Sequence, residues 1–168
     1  MKFDAIDLTN NGNIRYSLQR WARDKAPFLS IIHLAFSGDY RLGSRGAPDA
    51  YYISGLVHTV DAIWHPSAMI LDLSTLHYEW GNDMDLVLQP LGEVVAFVVG
   101  PKCERAISTL LYGVDTAKSV LEAVHFFDAF EPALKYVRQA LVIEWNAKVE
   151  KRPPGLGSAD LITLDDLQ

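Results

Sequence analysis

Three short apolar runs constrain this chain more than any other feature. Phe28 to Phe36 (FLSIIHLAF) is nearly continuous in hydrophobic character, as a strand covered on both faces must be. Ala68 to Leu73 (AMILDL) reads as a second buried strand, and Val94 to Val99 (VVAFVV) as a third, the clearest in the chain. Between and after them lie stretches with helical spacing. Strands that alternate with helices imply βαβ crossovers, so the expected class is α/β: a mostly parallel sheet of four to five strands with helices packed against it. Asn13 to Trp21 (NIRYSLQRW) alternates apolar and polar residues and is expected to add an antiparallel edge strand. Val124 to Phe127 (VHFF) supplies one more strand-like segment.

The punctuation fits this reading. Ala26-Pro27 should interrupt the chain between the first two strands, and Ser37 to Pro48, with three glycines, should be a loop. Asp49 is expected to cap an amphipathic helix to about Trp64, with Ile53, Leu56, Val57, Val60, Ile63 and Trp64 on its inner face. His65-Pro66 stops it. Ser74 to Gly81 should be a loop, after which Asn82 caps a brief helix that Pro90 and Gly92 end. Gly100-Pro101 opens the next helix and Gly113 closes it, and a short helical turn should follow from Asp115. Asp128 and Glu131 form an acidic capping pair for the last helix, with Leu134, Val137, Leu141 and Trp145 facing inward until Pro153-Pro154-Gly155. The expected organisation is one α/β domain over 1–152 and an acidic, flexible tail over 153–168. Leu161, Ile162, Leu164 and Leu167 could still dock that tail.

Composition narrows the function classes. The 168 residues suit one domain, and 49% hydrophobic with 21% charged residues is ordinary for a chain with a packed core. The net charge of −6 repels phosphate backbones, so nucleic acid is not an expected partner. A lone Cys103 excludes an intrachain disulfide and a multi-cysteine zinc site. The opening MKFDAIDLTNNGN lacks the apolar core of a secretory signal, and no run reaches the roughly 18–20 residues that span a bilayer. The expected setting is cytoplasmic, without membrane insertion. The apolar face Leu134–Trp145 would serve a homo-oligomer as readily as a core.

The order of elements resembles the STAS domain shared by anti-sigma-factor antagonists and the cytoplasmic ends of sulfate transporters. Phe28–Phe36, the helix after it, Met69–Leu76, Asn82–Leu91, Val94–Gly100 and Phe127–Tyr136 carry the likeness, which covers about residues 28–142. It implies a protein-binding regulatory scaffold. Antagonists of this kind carry a phosphorylatable Ser or Thr in an Asp-Ser-Ser-Gly stretch. The matching stretch here is Glu79-Trp80-Gly81-Asn82-Asp83, without a hydroxyl, so that switch does not carry over.

The residues that could carry chemistry are few. Cys103 follows Gly100-Pro101 beside Lys102 and Arg105, where a helix start and two cations would favour a thiolate; no histidine neighbours it in sequence to act as a base. His58, Asp61 and His65 share a helix face, yet the histidines stand about 10 Å apart along the axis, beyond one metal ion. No metal and no cofactor is expected. Arg41 and Arg45, in a loop at the carboxyl end of a strand, could clamp an anion. At the same end, Tyr78, Glu79, Trp80, Asp83 and Asp85 would form an acidic, aromatic patch able to anchor a basic protein partner. His33 is expected to be a satisfied interior histidine.

Three functions follow. The favoured one is a non-enzymatic binding protein, of inhibitor or immunity type, that occludes a basic partner through the acidic and aromatic loops. The second is a STAS-like regulatory module of a signalling pathway or transporter. The third is a small-molecule or anion-binding enzyme or sensor that uses Arg41, Arg45 and Cys103.

Overall fold

A computed structural model of the chain describes residues 12–23, 26–89, 92, 94–151 and 161–167, with the side chains of 23 and 26–28 outside that description. The expected stops at Pro90 and Pro153-Pro154-Gly155 lie outside the described residues. Five strands form one sheet in sequential order: β1 (Arg15–Arg23), β2 (Ala26–Asp39), β3 (Ala68–His77), β4 (Val95–Val99) and β5 (Phe126–Phe127). β1 pairs antiparallel with β2, and every other pairing is parallel. The class is therefore α/β with a mostly parallel sheet.

The helices are α1 (Ala47–Trp64), α2 (Met84–Val87), α3 (Glu104–Tyr112) and α4 (Phe130–Glu150). Each of the first three carries the chain one strand further across the sheet in the same direction. With a constant crossover hand, all three must then land on the same face. They do: Ile53, Val57, Met84 and Ile107 share one buried cluster with Ile32, Leu34, Phe36, Leu71 and Phe97. The opposite face receives α4, which runs along β3, β4 and β5 and buries Ala133, Val137 and Leu141 against Ile70, Ala96 and Val98. Alternation within β4 divides it cleanly, Val95, Phe97 and Val99 to one layer and Ala96 and Val98 to the other.

Several sequence expectations are corrected. Ala26-Pro27 does not separate two strands; β2 already begins at Ala26, and Pro27 sits in the irregular stretch where the β1–β2 register shifts. Ser74–Gly81 is not all loop, since β3 continues to His77. A bulge makes this possible: Ala35 pairs with Asp72 but Ser37 pairs with Thr75. The extra residue inverts the alternation, so Leu73 and Leu76 both enter the α1-side core. The Asp72 carboxylate accepts the Ser74 N–H at 2.8 Å and so satisfies the backbone that the bulge frees.

Asp49 is not the cap of α1. Gly46 takes that position, Pro48 lies in the first turn, and Asp49 is buried within it. Ile63 and Trp64 are exposed rather than inward, and the Arg20 guanidinium of β1 lies 5.0 Å from the Trp64 ring centroid. α2 is capped by Asp83, in the left-handed region at φ 66°, rather than by Asn82. α3 starts after Cys103 and not at Pro101, and Ala129 caps α4. The helical turn expected from Asp115 falls at Val120–Glu122, closed by a capping box between Ser119 and Glu122. In the tail, 161–167 lies against α4: Ile162 and Leu167 are buried, and the Asn146 amide pairs with both backbone groups of Ile162 at 2.9 Å.

Candidate functional site

The carboxyl ends of the parallel strands gather the loops singled out by the sequence. In open α/β sheets this is where ligands sit, because consecutive loops there splay from a fixed edge. Here they do not splay. The β2–α1 and β3–α2 loops are zipped together by a parallel bridge between Gly43 and Gly81 and by the Asn82 N–H, which donates to the Gly43 carbonyl at 3.0 Å. Tyr40 fills the space between them. Its hydroxyl donates to the Asn82 carbonyl at 2.5 Å, and its ring meets Tyr78 edge-on at 5.0 Å. A Cβ on Gly46 or Gly81 would stand 2.3 or 2.6 Å from that ring, so only glycine fits at either position. Burial pushes the Tyr40 phenol well above its ordinary pKa, with Tyr78 and the carboxylates of Asp49, Asp83 and Asp85 adding to the shift. It serves as a neutral strut.

The five acidic and aromatic residues expected to form one patch separate in the fold. Tyr78 is buried beneath the loops, its hydroxyl donating to the Gly81 carbonyl at 3.3 Å. Trp80 is 60% exposed and lies over Gly43, whose missing Cβ leaves room for the indole. Glu79 and Asp85 are exposed and Asp83 is half-buried at the start of α2. Asp83 also faces Tyr51 on α1 and raises the pKa of that phenol, mainly through its charge.

Sequence reasoning missed two members. Asp39 and His77 are register partners at the ends of β2 and β3, with Nδ1 3.0 Å from the Asp39 carboxylate and Nε2 3.2 Å from Glu79. No local pattern links positions 38 residues apart; only the parallel register does. Beside them a groove of about 180 Å³ is lined by Asp39, Tyr40, Leu42, His77 and Glu79. On the other side of His77 a wider one, about 420 Å³, reaches Lys102, Arg105 and Thr109 on the α3 side. Among the described residues, no group of three or more His, Cys, Asp or Glu is placed to hold a metal ion. No described helix is long and apolar enough to cross a membrane.

The basic residues and the thiol divide differently from the sequence expectation. Arg41 turns back onto Asp49, which accepts its backbone N–H at 2.8 Å, its Nε at 2.9 Å and its Nη2. That bidentate hold raises the guanidinium pKa further and occupies the fork that an anion would need. Arg45 is exposed, one turn away. Cys103 is buried, its Sγ donating to the carbonyls of Leu73 and Gly100 at 3.4 Å. Burial pushes the thiol up to about 11, against the depressed value expected beside Lys102 and Arg105, so it is a packing residue at neutral pH. His58, Asp61 and His65 lie along α1 and are brought to no cluster.

No protein-family model matches this chain, and no curated protein and no solved structure is significantly similar to it.

Proposed function

We propose that this chain is a non-enzymatic binding module that seats a basic segment of a partner protein at the carboxyl end of its sheet. The groove between Asp39 and Glu79 carries the reading. Tyr40 and Leu42 wall it with apolar surface for the stem of a Lys or Arg side chain, and the two carboxylates stand where the cationic head would lie. Trp80 beside it has the size and exposure of an interface anchor. The loops that present these groups are locked by Tyr40 and the Gly43–Gly81 bridge, so little ordering entropy opposes binding. Inhibition or immunity is the outcome we infer for such occlusion. A cytoplasmic setting belongs to the same proposal.

The STAS-like regulatory reading is supported by one observation. The strands that carried the resemblance stand in one sheet in sequential order, and Glu79, Trp80 and Asn82 are exposed in the stretch where the switch segment of such a module is expected. Both readings use the same surface and differ in the identity of the partner. The anion-binding enzyme is not proposed, since the Arg41 fork is held by Asp49 and Cys103 is buried.

The test is affinity isolation with the parent chain and with the Glu79→Ala/Trp80→Ala double variant, at moderate and high salt. The expected result is a stoichiometric basic protein held by the parent, released by salt and lost by the variant, with affinity falling by about 2 kcal/mol or more. Retention that the double variant leaves unchanged removes this surface from the proposal. An immunity or inhibitor role requires that the partner's activity fall on binding; a kinase or transporter partner selects the regulatory reading.

A further inference from the structure

Another concavity lies at the opposite end of the strands, on the α4 face, away from the acidic surface. It has a volume of about 380 Å³, within the range of small-ligand pockets, and opens between β1–β2 and α4. Trp21 from β1 and Phe130 and Leu134 from α4 give it apolar walls, while Gln19, Arg20, His33 and Arg138 supply its polar groups. The His33 ring packs on Phe130 with centroids 4.6 Å apart. Its Nε2 meets the Asp72 carboxylate at 3.1 Å, and its Nδ1 has only a long contact, 3.4 Å, to Gln19.

Arg138 is the decisive residue. Its Nε is buried and has no hydrogen-bond partner. A buried guanidinium N–H without an acceptor is costly, and folded proteins rarely leave one. The carboxylate that faces this layer from the sheet, Asp72, is already occupied by His33 and Ser74. Glu131 lines an adjoining cavity with Arg138 but forms no ion pair with it. The acceptor that Arg138 lacks is the group that a bound carboxylate would bring, and the flat walls of Trp21 and Phe130 match an aromatic body attached to it.

We propose that the groove between β1–β2 and α4 binds a small aryl carboxylate, with Arg138 receiving the carboxylate and Trp21 and Phe130 enclosing the ring. The probe is naphthoate, titrated calorimetrically into the full chain beside its neutral counterpart, naphthalenemethanol. Saturable binding of naphthoate, at least tenfold tighter than the alcohol and weakened about tenfold by Arg138→Leu, is the expected result. Gln19→Trp, a change at an exposed strand position, should plug the groove and remove binding with the charge intact; it decides the matter if Arg138→Leu fails to fold. Equal binding of acid and alcohol overturns the proposal. So does binding unaffected by either variant, or none up to about a millimolar. The proposal stands independently of the acidic surface, because none of these residues lies there.

Discussion

The two faces of this sheet are built by different rules. Under α1, α2 and α3 the strands present Ile32, Leu34, Phe36, Leu71 and Phe97, all buried, and the layer reaches the β1 edge through Ile14 and the half-buried Tyr16, beyond which Leu18 is exposed. Under α4 the same strands present Gln19, His33 and Asp72 beside the apolar residues, and Ser17 and Gln19 are exposed. Topology explains the contrast. Three crossovers advancing in one direction put three helices on one face, whereas the other is left to α4, which enters after the last strand, lies mainly along β3, β4 and β5 and meets β2 where Phe130 packs on His33. On the β1–β2 side of that face Leu29 and Ile31 are still buried, but Ser17 and Gln19 are exposed and polar groups surround a cavity.

The largest effect should come from the closed face. Phe36→Ala empties a fully buried site and should cost about 3–5 kcal/mol in chemical denaturation; a loss under about 1 kcal/mol would mean that this face is not the rigid one. Arg41→Ala should follow with about 2 kcal/mol. It strips a buried Asp49 carboxylate of its ion pair, and the 45% exposure of the guanidinium keeps the loss at the low end for such pairs.

On the α4 face, Asp72→Asn should cost about 1 kcal/mol near neutral pH, because it weakens the hydrogen bond to His33 while keeping an acceptor for Ser74. Its pH dependence is the sharper readout. Burial works to raise the Asp72 pKa, but the hydrogen bonds from His33 and Ser74 outweigh it and hold the value below the ordinary carboxylate. The stability that this group contributes is complete above its unfolded pKa and is lost as pH falls through the folded one. The parent should therefore weaken on acidification in the carboxylate range, and the variant should weaken less. The smallest effect is expected on β1: Gln19→Ala should stay within about 0.5 kcal/mol, as exposed substitutions do. A loss there as large as on the closed face would erase the distinction between the faces.

Much of this was legible in the residues. VVAFVV announced β4 through its composition, and Leu134, Val137, Leu141 and Trp145 announced the inner side of α4 by their spacing. Both signals are local, since a strand or helix face declares itself over a few residues. Less was legible at the candidate site. Tyr78 and Trp80 look alike in sequence, and nothing local says that the first is a strut and the second an exposed anchor. Asp49 reads as a cap until Arg41 is seen to reach it, and Cys103 reads as an activated thiol until its burial is seen.

The chain by itself determined the alternation of strands and helices, the α/β class and the acidic character of the loops, because hydrophobic period and charge are written residue by residue. The tertiary structure decided which of those residues meet. The bulge at Leu73–Ser74 extends β3 and places His77 beside Asp39; the direction of three crossovers leaves the far face to α4; and the Nε of Arg138 is buried there without an acceptor. Register, crossover direction and burial are properties of the assembled sheet. They arise from contacts between segments distant in sequence, where no local pattern can record them.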